Sequence, residues 1–134
     1  RLSLVGSEMC IRDRVSPVDW QDETKDINDR ARSYLDVNCG HCHSPSGNAN
    51  STGLYLNLLE TRDINLGIYK KPVATGRGSG GNRYSIVPGK PDESILLYRM
   101  ESMDPGVMMP ESGRSLTHQE ALNIVREWIK SLDK

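Results

Sequence analysis

Apolar residues recur at helical spacing in two well-separated stretches of this chain. Between residues 24 and 38, Ile27, Ala31, Tyr34 and Leu35 fall at steps of three and four, with Val37 beside them. That period predicts a helix over 24–38. Near the other end, Ala121, Leu122, Ile124, Val125, Trp128, Ile129 and Leu132 make a broader apolar face. Thr117 and Glu120 ahead of it have the spacing of a capping box, which sets the start of that helix. A shorter helix is predicted over SILLYRM, with Asp92 as its N-cap and Glu93 in the first turn. Leu54, Leu56 and Leu58 alternate with other residues, as in a short extended piece. LETRDINLGIYKK (59–71) has no clear period and has room for a brief helix. SPSGNANSTG, GRGSGGNRYSIVPGKP and SMDPGVMMPES are rich in turn residues and read as loops. The pattern predicts a mainly α protein in which long irregular segments connect few helices.

Residues 4–14, LVGSEMCIRDR, fit none of this periodicity. They resemble a sequencing-library adapter translated in one frame, so residues 1–14 are expected to be an artefact and to carry no fold information. Cys10 then has no functional weight. The natural start of the gene, with any signal peptide, is expected to lie upstream of a C-terminal fragment. The 134 residues less the first 14 leave 120, the size of one domain, 15–134. Their 14 Lys and Arg against 16 Asp and Glu give no basic surface for nucleic acid. No apolar run approaches the length of a membrane span. Phenylalanine is absent, and large apolar side chains are sparse. A chain of this kind fills a core with difficulty, and a bulky apolar cofactor would supply the missing volume.

Residues 39–43 read Cys-Gly-His-Cys-His. Two thiols three positions apart, followed at once by an imidazole, form the attachment pattern of c-type haem. Cys39 and Cys42 stand about one helical turn apart, so both sulfurs can reach the vinyl groups of one porphyrin edge. His43 follows as the proximal ligand, its imidazole neutral at ordinary pH. Three rival readings share the pentapeptide. Cys-Gly-His-Cys also occurs where a thiol pair exchanges disulfides, but there it follows an apolar strand; here DINDRARSYLDVN precedes it, charged and helical in period. A zinc site needs four ligands, and beyond residue 43 the chain has no cysteine and one histidine, His118. His41 or carboxylates would have to complete that set. A Cys39–Cys42 disulfide would be strained and exposed.

A haem iron bound by His43 needs a second axial partner or an open position. Met100 fits the apolar stripe of its helix and reads as core packing, and Met103 falls in the following turn. His118 reads as an exposed residue near a helix start. Met108 and Met109 lie between Gly106 and Pro110, where no regular helix can run, and Pro110 holds its predecessor extended. Met109 is the preferred distal ligand and Met108 the alternative. A thioether ligand would favour reduced iron. Gly76, Gly78 and Gly81 match a dinucleotide-binding string without the strand and helix it needs. They read instead as a loop beside the cofactor, in which Arg77 and Arg83 could face haem propionates or simply solvent. Asn50-Ser51-Thr52 is a glycosylation sequon by pattern only.

The order of parts, a helix into CGHCH, a long middle, a Met-Pro loop and a last helix with an aromatic, resembles class I cytochrome c. Tyr34 and Trp128 would sit near the crossing of its first and last helices. The strings GLYLNLLET, RGSGGNRYSIVPGKPDESILLYRM and DPGVMMPESGRSLTHQEALNIVREWI are similar to the C-terminal haem domain of bacterial dihaem c-type cytochromes. The VPG-x-P-x-x-S-x-L and Met-Pro elements also resemble planctomycete cytochrome c domains. The resemblance spans about residues 24–132. It implies the cytochrome c fold, one covalent haem c on Cys39 and Cys42, His43 as proximal ligand and Met109 as distal ligand. Many such domains carry Met-Pro-Pro where this chain has Met109-Pro110-Glu111. The resemblance further implies maturation in a bacterial periplasm or on the cell surface, and electron transfer to redox partner proteins or upstream domains. On this expectation the chain is an electron carrier and not itself an enzyme. The alternatives are the haem domain of a larger redox enzyme, such as a dihaem peroxidase or a quinoprotein-type dehydrogenase, and a thiol-disulfide oxidoreductase.

Overall fold

Asp26 starts the first helix: its extended backbone lies outside the helix while its carboxylate accepts the Asn28 N–H at 3.0 Å. In this computed structural model, which describes residues 15–73, 76–104, 106–109 and 119–132, helix α1 runs over Ile27–Asn38. The expected start near residue 24 is therefore three residues early. Thr24 is held instead in a turn, where its N–H and hydroxyl both donate to the Asp22 carboxylate. Short 3-10 turns follow at Asn50–Thr52, Gly76–Ser79 and Pro91–Glu93, then α2 (Ile95–Glu101) and α3 (Gln119–Ser131). Among the described residues there is no strand, only isolated parallel bridges pairing Ile68 with Ile86 and Tyr84 with Ser94. The chain is mainly helical, as its periodicity predicts.

Helix α1 packs against α3, and α2 packs against α3 and the Gly76–Ser79 turn. Their apolar faces share one core: Ala31, Tyr34 and Leu35 from α1, Leu96, Leu97 and Met100 from α2, and Ala121, Leu122, Ile124, Val125, Trp128 and Ile129 from α3, with Leu56 and Ile86 from the loops. Trp128 is buried in it, and its indole N–H donates to Asn28 Oδ1 at 2.8 Å, which locks the first turn of α1 to the last turns of α3. Trp20 meets the Tyr34 ring edge-on, with centroids 5.2 Å apart, and extends the core toward the lead-in segment. Tyr34 and Trp128 thus both lie where the first and last helices meet. Val37 does not join them: it is 71% exposed, because it lies about 200° round the helix from Leu35. Arg32 and Ser33, polar in sequence, are buried instead.

The start of α2 departs from expectation. Its N-cap residue is Ser94, and Asp92 falls in the preceding 3-10 turn opened by Pro91. The Ser94 hydroxyl does not cap the helix; it accepts the Val87 N–H and donates to the Lys90 carbonyl, closing the VPGKPDES loop on itself. The Gly89 N–H donates to the Ile129 carbonyl at 2.9 Å and pins the loop to α3. Asp92 pairs with Arg126 at 2.6 Å, and Arg126 also reaches Glu101 at 2.9 Å, tying α2 and its approach to α3. The leucines at 54, 56 and 58 form no strand. Leu56 alone of the three is buried; residues 59–71 hold turns and no helix. Thr117, half of the expected capping box, lies outside the described residues.

Two outcomes follow from this packing. Leu35→Ala should lower the unfolding free energy by about 2–5 kcal/mol, and Asn28→Ala by about 1–3 kcal/mol by stranding the buried indole N–H; denaturant titration measures both. The Arg126 hydrogen bond and charge hold the Asp92 carboxyl below its ordinary pKa of 3.8. Its stabilisation is therefore fully present above that value and is lost as pH falls through the depressed one. Asp92→Asn should be slightly less stable than the parent at pH 7, and the gap should close in strong acid. High salt should narrow it, since the pair is exposed.

Candidate functional site

The end of α1 shapes the CGHCH segment. The Cys39 N–H still donates to Leu35 at 2.8 Å, but Cys39 has left helical geometry, with φ −127° and ψ −31°. The chain then makes one further turn, in which the His43 N–H reaches back to the Cys39 carbonyl at 2.8 Å and the Cys42 N–H to the same oxygen at 3.2 Å. Cys39, Cys42 and His43 thus lie on a single hydrogen-bonded turn. Both thiols are free and half-buried. Cys39 packs against the edge of the core. Burial, with a smaller contribution from the Cys42 charge, pushes its thiol pKa up to about 12.

Two glycines make this turn possible. A Cβ on Gly40 would lie 2.7 Å from the Asp36 carbonyl oxygen and 3.1 Å from the Asn57 Cα. A Cβ on Gly47 would run into the Cys42 carbonyl, which accepts the Ala49 N–H at 2.9 Å. The segment after Tyr55 closes the site from the other side: the Leu56 N–H donates to the His43 carbonyl at 2.7 Å.

The methionine segment is built onto α2. Asp104 organises it, its carboxylate accepting the Gly106 N–H and its carbonyl accepting those of Val107 and Met108. The Met109 N–H donates to the Arg99 carbonyl at 3.0 Å, and Arg99 Nε donates to the Val107 carbonyl at 2.9 Å. Met108 and Met109 are half-buried, Met103 is exposed and Met100 lies in the core. The expected candidates therefore come from two places, the exit of α1 and the exit of α2, and both exits border the shared core through Cys39 and Met100. Pro110, Glu111 and His118 lie outside the described residues.

The glycine string at Gly76, Gly78 and Gly81 opens in a 3-10 turn packed on α2. Gly78 leaves room for the Arg99 guanidinium, and the left-handed Gly80 for the Tyr98 ring. Arg83 is exposed on a cleft of about 390 Å³ lined also by Tyr69, Tyr84 and Glu93, a lining that includes none of Cys39, Cys42, His43, Met108 and Met109. Among the described residues no three His, Cys, Asp or Glu side chains come together as a metal-ligand group.

Sequence reasoning passed over Arg32, Asp36 and Gly47. Arg32 and Asp36 stand four apart on a charged helix, where residue type alone does not set them apart; only burial marks Arg32 as different. The donor set itself fits a covalently attached haem: two unjoined thiols one turn apart, with an imidazole at the end of the same turn. No family model matches this chain, and neither a curated protein nor a solved structure matches it.

Gly40→Ala should cost about 1–3 kcal/mol of stability, because the added methyl meets backbone that cannot move aside. A denaturant midpoint equal to the parent's would contradict this reading of the turn.

Proposed function

We propose that this chain is a c-type cytochrome domain of the cytochrome c fold, carrying one covalent haem on Cys39 and Cys42 and transferring electrons. The observation that carries the proposal is the placing of Cys-Gly-His-Cys-His on one hydrogen-bonded turn at the exit of α1, the helix that packs on the last helix of the chain. His43 and Met109, with Met108 as the alternative, would hold the iron. When bound, the haem supplies a one-electron couple whose potential the protein tunes through axial ligands, hydrogen bonds and burial.

The chain's own residues have definable tasks in that role. Cys39 and Cys42 anchor one edge of the porphyrin. The Cys39–His43 turn fixes the backbone from which the imidazole projects. The Asp104 turn and Arg99 hold the methionine segment against the end of α2. The expected site of maturation is outside the cytoplasm, where covalent attachment to such a thiol pair takes place. No helix among the described residues is long and apolar enough to cross a membrane. The partners proposed are redox proteins or further domains of a longer chain. Thiol–disulfide exchange is the weaker reading, because it needs a ready thiolate and the Cys39 thiol is held protonated by burial.

The test is an absorption spectrum of the whole chain, exported to a periplasm equipped for cytochrome c maturation. The parent should show low-spin haem with a thioether-ligand band. Met109→Ala should lose that band and keep the haem, while Met108→Ala should retain both. The reverse pattern would transfer the distal ligand to Met108. A well-folded protein without haem would overturn the proposal.

A further inference from the structure

Arg32 is the most deeply buried charged side chain among the described residues, at 4% exposed, and it sits on α1 two turns before Cys39. Its Nη2 donates to three carbonyls in one short stretch: Asn57 at 3.2 Å, Leu58 at 3.3 Å and Glu60 at 2.8 Å. One turn along the same helix, the Asp36 carboxylate accepts the Leu58 N–H at 2.7 Å. A cation and an anion on one helix face therefore grip the acceptors and a donor of the same segment, 56–60. Burying a guanidinium is costly unless hydrogen bonds offset it; Arg32 Nε is buried without a partner, so the offset rests on the carbonyls that Nη2 reaches.

That segment rests on both ends of the CGHCH turn. The Leu56 N–H holds the His43 carbonyl, and the Asn57 Cα comes close to Gly40, 3.1 Å from where a Cβ would stand. We infer that Arg32 and Asp36 are positioning residues for His43, acting through the 56–60 segment as a brace that sets how the imidazole is presented. This rests on the cytochrome reading above. Neither residue touches the proposed iron site; both fix the peptide that fixes His43. Partners of this indirect kind set ligand orientation and so the properties of the metal they surround.

The experiment compares the whole haem-loaded chain with Arg32→Gln, Asp36→Ala and Asp36→Asn, reading the reduction midpoint and the rate at which the reduced protein takes up carbon monoxide. Arg30→Gln is the control, because Arg30, also on α1, spends its guanidinium on the Trp20 carbonyl of the lead-in segment and does not touch the brace. Arg32→Gln and Asp36→Ala should shift the midpoint and speed carbon monoxide uptake by about tenfold or more. Asp36→Asn, which keeps the acceptor for Leu58, should restore both, and Arg30→Gln should change neither. If Arg32→Gln does not fold, the contrast between Asp36→Ala and Asp36→Asn decides. Haem-loaded variants that match the parent in midpoint and uptake, or a control that moves as far as they do, would overturn the inference while leaving the cytochrome reading intact. A parent without haem would overturn both.

Discussion

Helix α1 is seated on α3, and that contact decides where the chain delivers Cys39. Ala31 and Leu35 are fully buried in the core they share with Val125, Trp128 and Ile129, and the indole of Trp128 reaches across to Asn28. With α1 fixed along its length, its last carbonyls, those of Leu35 and Asp36, have fixed positions too. They receive the N–H groups of Cys39 and Gly40, and the next turn follows from them. The geometry of the candidate site is therefore a consequence of helix packing some distance away from it.

Around that seat, irregular segments are held by backbone bonds rather than by a sheet. The VPGKPDES loop closes on Ser94 and is pinned to α3 through Gly89, and the methionine segment hangs from Arg99 at the end of α2. The 56–60 segment is clamped by Arg32 and Asp36. Each loop takes its position from a helix that belongs to the common core. A protein with few large apolar side chains can in this way give precise positions to long stretches without regular structure. In the proposed role, that precision is what two axial ligands on different loops require.

The helices were legible because burial follows their period. Ile27, Ala31, Tyr34 and Leu35 lie on one face of α1 at steps of three and four, and the apolar face of α3 is buried as its spacing predicts. Val37 misled because apolar character alone does not place a residue on that face. Asp92 looked like a cap because its type suits one, yet Pro91 starts a 3-10 turn there and an arginine 34 residues away claims the carboxylate. The thiols and His43 were legible as a local string. Their supports were not, since Arg32 and Asp36 act through backbone groups distant in sequence, and the close approach of the Cys42 carbonyl to Gly47 is not marked by residue type.

The central claim concerns a covalent bond, so the most direct measurement is the intact mass of the denatured protein after export to a periplasm with cytochrome c maturation. The account predicts a chain heavier by one haem, with positions 39 and 42 closed to alkylation. A chain of unmodified mass, with both thiols open to the reagent, would contradict it.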